Sequence, residues 1–120
     1  MASAFHWYEL RTTDPKAAAD FYAKVVGWTA TEMGSAEQPY TVMNADKGGV
    51  AGIAQLSRTP DAKPSWVGYV AVDNADAYVE RLKAAGGTLT NGPHQVPSGD
   101  WVVQGADPQG VSFHLVSLKP

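Results

Sequence analysis

Two side chains in this sequence have the chemistry of proton-transfer groups and lie within apolar stretches. His114 stands in GADPQGVSFHLV, in the middle of an apolar run that follows the turn at 107–110. Glu9 stands in the first apolar stretch, FHWYELRTT. A histidine titrates near neutral pH and can also bind a metal, and a carboxylate can act as a general acid or base. His114 and Glu9 are therefore the candidate catalytic residues.

The elements that must position these residues occur twice along the chain. Apolar and β-branched runs predict strands at 5–13 and 66–72. Asp14 predicts the start of a helix after the first strand and Gly27 its end, while Asp73 predicts the start of a second helix. Three further strands follow each helix. The pattern predicts two tandem βαβββ units.

The predicted organisation is a single domain over residues 1–120. Unit one is expected at about 4–57, a proline-containing linker at 58–65 and unit two at about 66–118. Neither unit is expected to bury its sheet face alone, so the two should pair. The predicted fold is α+β, a curved, mostly antiparallel eight-stranded sheet in the form of an open barrel with helices outside. Its concave face would be a natural pocket.

Composition excludes several classes of function. The chain has 120 residues, 44% hydrophobic and 18% charged, with a net charge of -3. Its nine Lys and Arg residues are scattered, which argues against nucleic acid as a partner. No apolar run is long enough to span a membrane, and a cytoplasmic location is expected. The absence of cysteine excludes disulfides and thiolate chemistry.

Three segments give the chain a family resemblance: TDPKAAADFYAKVVGW, VAVDNADAYVERLKAAGG and DPQGVSFHL. With the repeated units, they resemble the vicinal oxygen chelate superfamily of glyoxalase I, extradiol dioxygenases, fosfomycin-resistance enzymes and bleomycin-resistance proteins. The resemblance covers nearly the whole chain and implies the curved-sheet fold. It does not imply one activity, because the fold hosts lyases, isomerases, dioxygenases and drug-binding proteins.

The resemblance also implies four inward positions that hold a divalent metal in the family's enzymes. In this chain they fall on Trp7, Val67, Ile53 and His114. Only His114 has a lone pair for a metal ion, so no metal cofactor of the family type is expected. Strand parity offers Gln55 in place of Ile53, and Glu9 or Tyr69 as deeper neighbours. A set of His114, Gln55 and Glu9 would be an atypical metal site.

Aromatic residues at inward positions predict a pocket for an aromatic or apolar ligand. Trp7, Tyr69 and Trp101 would supply stacking surface. The predicted ligand-binding residues are Trp7, Glu9, Gln55, Val67, Tyr69, Trp101 and His114. Two alternatives stay open: the aromatic rings fill the pocket themselves, and Glu9 forms an ion pair with Arg11.

The leading hypothesis for function is a metal-free small-molecule-binding protein of the glyoxalase and bleomycin-resistance type. The alternative is an enzyme, a lyase, isomerase or dioxygenase, in which His114 and Glu9 perform acid–base chemistry or bind an atypical metal. A third hypothesis is a structural module with a filled pocket. The expected partners are a small organic ligand and, from the family resemblance, a second copy in a homodimer.

Overall fold

The computed structural model describes residues 3–37, 39–56, 63–96 and 98–120. In this part of the chain, two helices and eight strands follow one another in the order βαβββ–βαβββ. The elements are β1 (Phe5–Thr12), α1 (Pro15–Val26), β2 (Thr29–Glu32), β3 (Tyr40–Ala45), β4 (Gly48–Gln55), β5 (Ser65–Ala71), α2 (Ala75–Ala84), β6 (Thr88–Gln95), β7 (Trp101–Ala106) and β8 (Ser112–Ser117). The predicted α+β class with two βαβββ units is confirmed. Neither helix is long and apolar enough to cross a membrane.

The chain divides into two compact units, and the first is Trp7–Val67. Its strand order is β2-β3-β4-β1, with β1 parallel to β4 and the other pairs antiparallel. Helix α1 packs on one face of this sheet. The core between them contains Leu10, Ala19, Met43 and Ile53.

The second unit is Gly68–Pro120 together with the chain up to His6. Its strand order is β5-β8-β7-β6, again with one parallel pair, β5 and β8, and two antiparallel pairs. Helix α2 packs on one face, and the core contains Ala75, Val79, Val103 and Leu115. The two units therefore repeat the same arrangement of a helix on a four-stranded array.

The first helix begins and ends at the predicted residues. The Asp14 carboxylate accepts a hydrogen bond from the Ala17 N–H at 3.0 Å, and Pro15 occupies the first turn, where its missing N–H is not needed. Gly27 ends the helix in the left-handed region, with φ of 77°.

The second helix begins one residue later than predicted. Asn74, not Asp73, is its N-cap and accepts a hydrogen bond from the Ala77 N–H at 3.0 Å. Both residue types cap helices well, and the helix that follows Asn74 buries Ala75 and Val79. The two helix caps, Asp14 and Asn74, are therefore 60 positions apart, one more than the predicted pair Asp14 and Asp73.

The linker predicted at 58–65 lies mostly outside the described residues, which omit 57–62. Ser65 already belongs to β5. The assignment of 1–120 to a single domain, with its unit limits, stays a prediction.

Candidate functional site

Each unit has a sheet face opposite its own helix, called here the far face. In β1, Leu10 packs in the core with α1, so the alternating residues Trp7, Glu9 and Arg11 point to the far face of the first unit. In the second unit, Val70 and Leu115 pack with α2, so their neighbours Tyr69 and His114 point to its far face.

Trp7 and Tyr40 occupy the far face of the first unit. The Trp7 indole N–H donates to the Tyr40 hydroxyl oxygen at 2.9 Å. Gly52 of β4 makes room for the Tyr40 ring, and Gly49 of the same strand lies beside the Trp7 ring. A Cβ at Gly52 would lie 1.7 Å from the Tyr40 hydroxyl oxygen, and one at Gly49 would lie 3.5 Å from Trp7 Cη2. In this unit, aromatic side chains fill the space that the glycines leave.

Glu9 forms an ion pair with Arg11. The Arg11 Nε donates to the Glu9 carboxylate at 3.0 Å. The Arg11 side chain is 23% exposed and the Glu9 side chain 13%, so the pair is partly shielded from water. The carboxylate is therefore engaged, and acid–base chemistry at Glu9 would compete with this contact.

Gln55 and Val67 complete the predicted residues of the first unit. Gln55 is exposed at the end of β4, and its amide donates to the Thr13 carbonyl oxygen at 3.3 Å. It shares strand parity with Ile53, whose side chain faces α1. Val67 is a half-buried residue of β5 with an aliphatic side chain. The parity of Gln55 places it on the opposite side of the sheet from Trp7 and Tyr40.

Ile53 and His114 are both expected at inward metal positions, and for Ile53 this is wrong because the two residues do not face corresponding sides of their units. Ile53 is fully buried in the core of the first unit, whereas His114 points away from α2. Since Leu115 corresponds to Ile53, the counterpart of His114 is Gly52. Strands β3 and β4 carry a register shift between Met43 and Asn44, and β7 and β8 carry none, so no constant residue spacing relates the two units along these strands.

Tyr69 and His114 lie together on the far face of the second unit. They are directly paired across the parallel strands β5 and β8. Their ring centroids are 5.1 Å apart, with an edge-to-face angle of 69°. Tyr69 is 5% exposed and His114 3%. This is a titratable imidazole held against an aromatic wall, in a place that largely excludes water.

Trp101 does not join Tyr69 and His114. It packs against the core residues of the second unit on the α2 side. Its position, two residues before the fully buried Val103, gives it the same strand parity. Trp101 therefore lies on the opposite side of the sheet from Tyr69 and His114.

Two far-face residues were missed by sequence reasoning. Tyr40 is the hydrogen-bond partner of Trp7, and the glycines of β4 that admit its ring were the available signal. Gln104 is paired with His114 across β7 and β8, and its side-chain oxygen accepts from Asn91 at 3.4 Å. Strand alternation alone could not identify it, because its register with β8 was unknown.

The residues at the family's metal positions do not fit a metal. The Trp7 nitrogen is a donor already bonded to Tyr40, and Val67 has no lone pair. Gly52, the counterpart of His114, has no side chain. Within residues 3–37, 39–56, 63–96 and 98–120, no three histidine, aspartate or glutamate side chains are grouped so as to hold a metal ion.

Comparison with known proteins gives the chain its relatives. A model of the glyoxalase/bleomycin resistance protein/dioxygenase superfamily matches residues 4–115. "Putative glyoxylase CFP32" of Mycobacterium bovis is 36% identical over 95% of this chain. The anthracycline biosynthesis protein DnrV of Streptomyces peucetius is 33% identical over 89% of it. The chain spans only 44% of the length of each of these relatives.

Solved structures agree on the fold. A methylmalonyl-CoA epimerase of Streptomyces coelicolor superimposes with a TM-score of 0.65 at 15% identity, covering 94% of this chain and 95% of that one. At this identity the likeness concerns the fold alone. The family match over nearly the whole chain, with these relatives, shows that the chain belongs to the glyoxalase/bleomycin resistance protein/dioxygenase superfamily.

Proposed function

We propose that this protein binds an aromatic or apolar small molecule on the far face of its second unit, without a metal centre of the family type. The contact between Tyr69 and His114 carries the proposal. The tyrosine ring contributes an aromatic wall, and the imidazole is a polar group that can help to orient a ligand. Both side chains lie below the surface, so a ligand that reaches them would be largely desolvated.

The relatives support a ligand of this class. DnrV is named for anthracycline biosynthesis, and an anthracycline is a flat polycyclic aromatic molecule. Flat aromatic ligands gain stabilisation from contacts with tyrosine rings. These relatives are more than twice as long as this chain, so their names guide only the choice of ligand class.

Ligand binding can be tested with 1,2-dihydroxyanthraquinone, a flat aromatic probe. At ten times its Kd, a ligand stabilises the folded state by about 1.4 kcal/mol, which raises the Tm of a domain of this size by about 5 °C. Tyr69→Leu should abolish this rise. Trp101→Phe is the matched control, because Trp101 lies on the α2 side of the sheet. An unchanged rise in Tyr69→Leu would contradict the proposed site.

The absence of a family-type metal centre has its own test. Purified protein should contain no stoichiometric metal, and titration with Ni²⁺, Mn²⁺, Zn²⁺ and Fe²⁺ should detect no micromolar site. The reason is that, among the four positions that hold the metal in the family's enzymes, only His114 has a side chain with a metal-binding atom. A stoichiometric site that His114→Ala abolishes would contradict the proposal and favour an enzyme.

The alternative function is acid–base catalysis without metal, as in a lyase or isomerase. The position of the His114 imidazole beside Tyr69 supports this alternative, because histidine is a common general acid and base in enzymes. The ion pair of Glu9 with Arg11 disfavours Glu9 as a catalytic carboxylate. Turnover of a bound ligand that is lost in His114→Gln, with binding retained, would support this alternative.

A further inference from the structure

A cavity lies on the helix side of the second unit, between α2 and the parallel strands β5 and β8. Its volume is about 420 Å³, within the range that small organic ligands occupy. Its apolar lining includes Val70, Val72, Leu82, Phe113 and Leu115. Because Val70 and Leu115 point toward α2, this cavity is on the opposite side of the sheet from Tyr69 and His114.

Two charged residues line this cavity, and they differ in how they are engaged. The Asp107 carboxylate accepts hydrogen bonds from the backbone N–H groups of Gln109 and Val111, both at 2.9 Å. It therefore serves the turn that forms one wall. The Arg81 guanidinium lies over the Tyr78 ring, with Cζ 4.5 Å from the ring centroid.

Arg81 keeps its charge available for a ligand. In the described part of the chain, the ion pairs are Glu9–Arg11 and Lys16–Asp20, and neither involves Arg81. Its contact with Tyr78 is a cation–π interaction, which orients the guanidinium without neutralising it. A planar guanidinium held in one orientation is well suited to bind a carboxylate.

We propose that this cavity binds a small organic anion with an apolar body, an aryl or alkyl carboxylate. The apolar part would lie against Leu82 and Phe113, and the carboxylate would pair with Arg81. The negative charge of Asp107 opposes an anion at its own side, so the carboxylate is expected at the α2 side of the cavity. This site is independent of the proposed site at Tyr69 and His114.

The charge preference can be tested with two probes of similar shape, 4-phenylbutyrate and 4-phenyl-1-butanol. Titration calorimetry should show the acid binding more tightly than the alcohol. In Arg81→Gln, affinity for the acid should fall about three- to fivefold, the range for a partly exposed ion pair, with no change for the alcohol. Lys83→Gln is the control, because Lys83 carries the same charge on α2 but does not line the cavity. An alcohol that binds as tightly as the acid would overturn the proposal.

The location can be tested by filling the cavity from its edge. Ala85 lines the cavity and is exposed, so Ala85→Trp should block binding of 4-phenylbutyrate without unfolding the protein. Ala84→Trp, also exposed but outside the lining, should bind normally. Binding that survives in Ala85→Trp would overturn the proposal. Binding lost in Tyr69→Leu but kept in Ala85→Trp would place the anion on the far face instead.

Discussion

Replacement of Gly52 by alanine should destabilise the first unit by disrupting the Trp7–Tyr40 pair. The added Cβ would lie 1.7 Å from the Tyr40 hydroxyl oxygen and 2.2 Å from Cζ. Both distances are far below van der Waals contact, and β4 is held on both sides by β1 and β3. The strand cannot move away easily, so the tyrosine ring must move.

The magnitude follows from what that movement breaks. The hydroxyl must move by roughly 1.7 Å to reach ordinary contact, which ends its 2.9 Å hydrogen bond from Trp7. Loss of one hydrogen bond costs about 0.5–1.5 kcal/mol, and an overpacked site costs about 1–3 kcal/mol. We therefore expect Gly52→Ala to lower the free energy of unfolding by about 2–4 kcal/mol.

Urea denaturation followed by circular dichroism measures this free energy. Gly49→Ala is the matched control on the same strand, because its Cβ would meet a Val42 methyl group at 3.1 Å, a contact that a small shift relieves. In the Tyr40→Ala background, Gly52→Ala should cost almost nothing. A full penalty in that background would refute the reasoning, since the clash would then not be with Tyr40.

Two other predictions concern helix α1. Asp14→Ala removes the acceptor of the Ala17 N–H and should lower the free energy of unfolding by about 1 kcal/mol in urea denaturation. Asp20→Ala, at an exposed ion pair with Lys16, should change this free energy little. Equal effects of the two variants would contradict the capping role of Asp14. The predicted homodimer should sediment at twice the chain mass of 12.7 kDa. Phe21 and Val25, 58% and 61% exposed and one turn apart on α1, form an apolar patch that is expected at its interface, so Phe21→Glu should give monomers. A wild-type monomer at micromolar concentration would contradict this prediction.

The order of elements was predictable because its signals are local. Asp14, the following proline and Gly27 mark α1 by capping chemistry that needs no tertiary information. At α2 the same logic met two adjacent capping residues, Asp73 and Asn74, and the sequence offers no local reason to prefer one. A one-residue error resulted.

The candidate site was less predictable because it depends on strand register. Trp7 and Glu9 follow from alternation around Leu10, a single clear core residue. In β7, Val102 and Val103 are both buried, so alternation does not reveal which face their neighbour Trp101 shares. A one-residue change in register exchanges the two faces of a strand, and the register is set by pairing with distant strands that the local sequence does not specify.

The tryptophans are unequally divided between the two units. Trp7, Trp28 and Trp66 belong to the first unit and Trp101 to the second. Trp28 and Trp66 are edge-to-face at 6.4 Å, which is close enough for their electronic transitions to couple. In a Trp101→Phe variant, all indole fluorescence and the indole part of the near-ultraviolet dichroism would arise from the first unit. Indole fluorescence of this variant would therefore follow the unfolding of the first unit separately from that of the second.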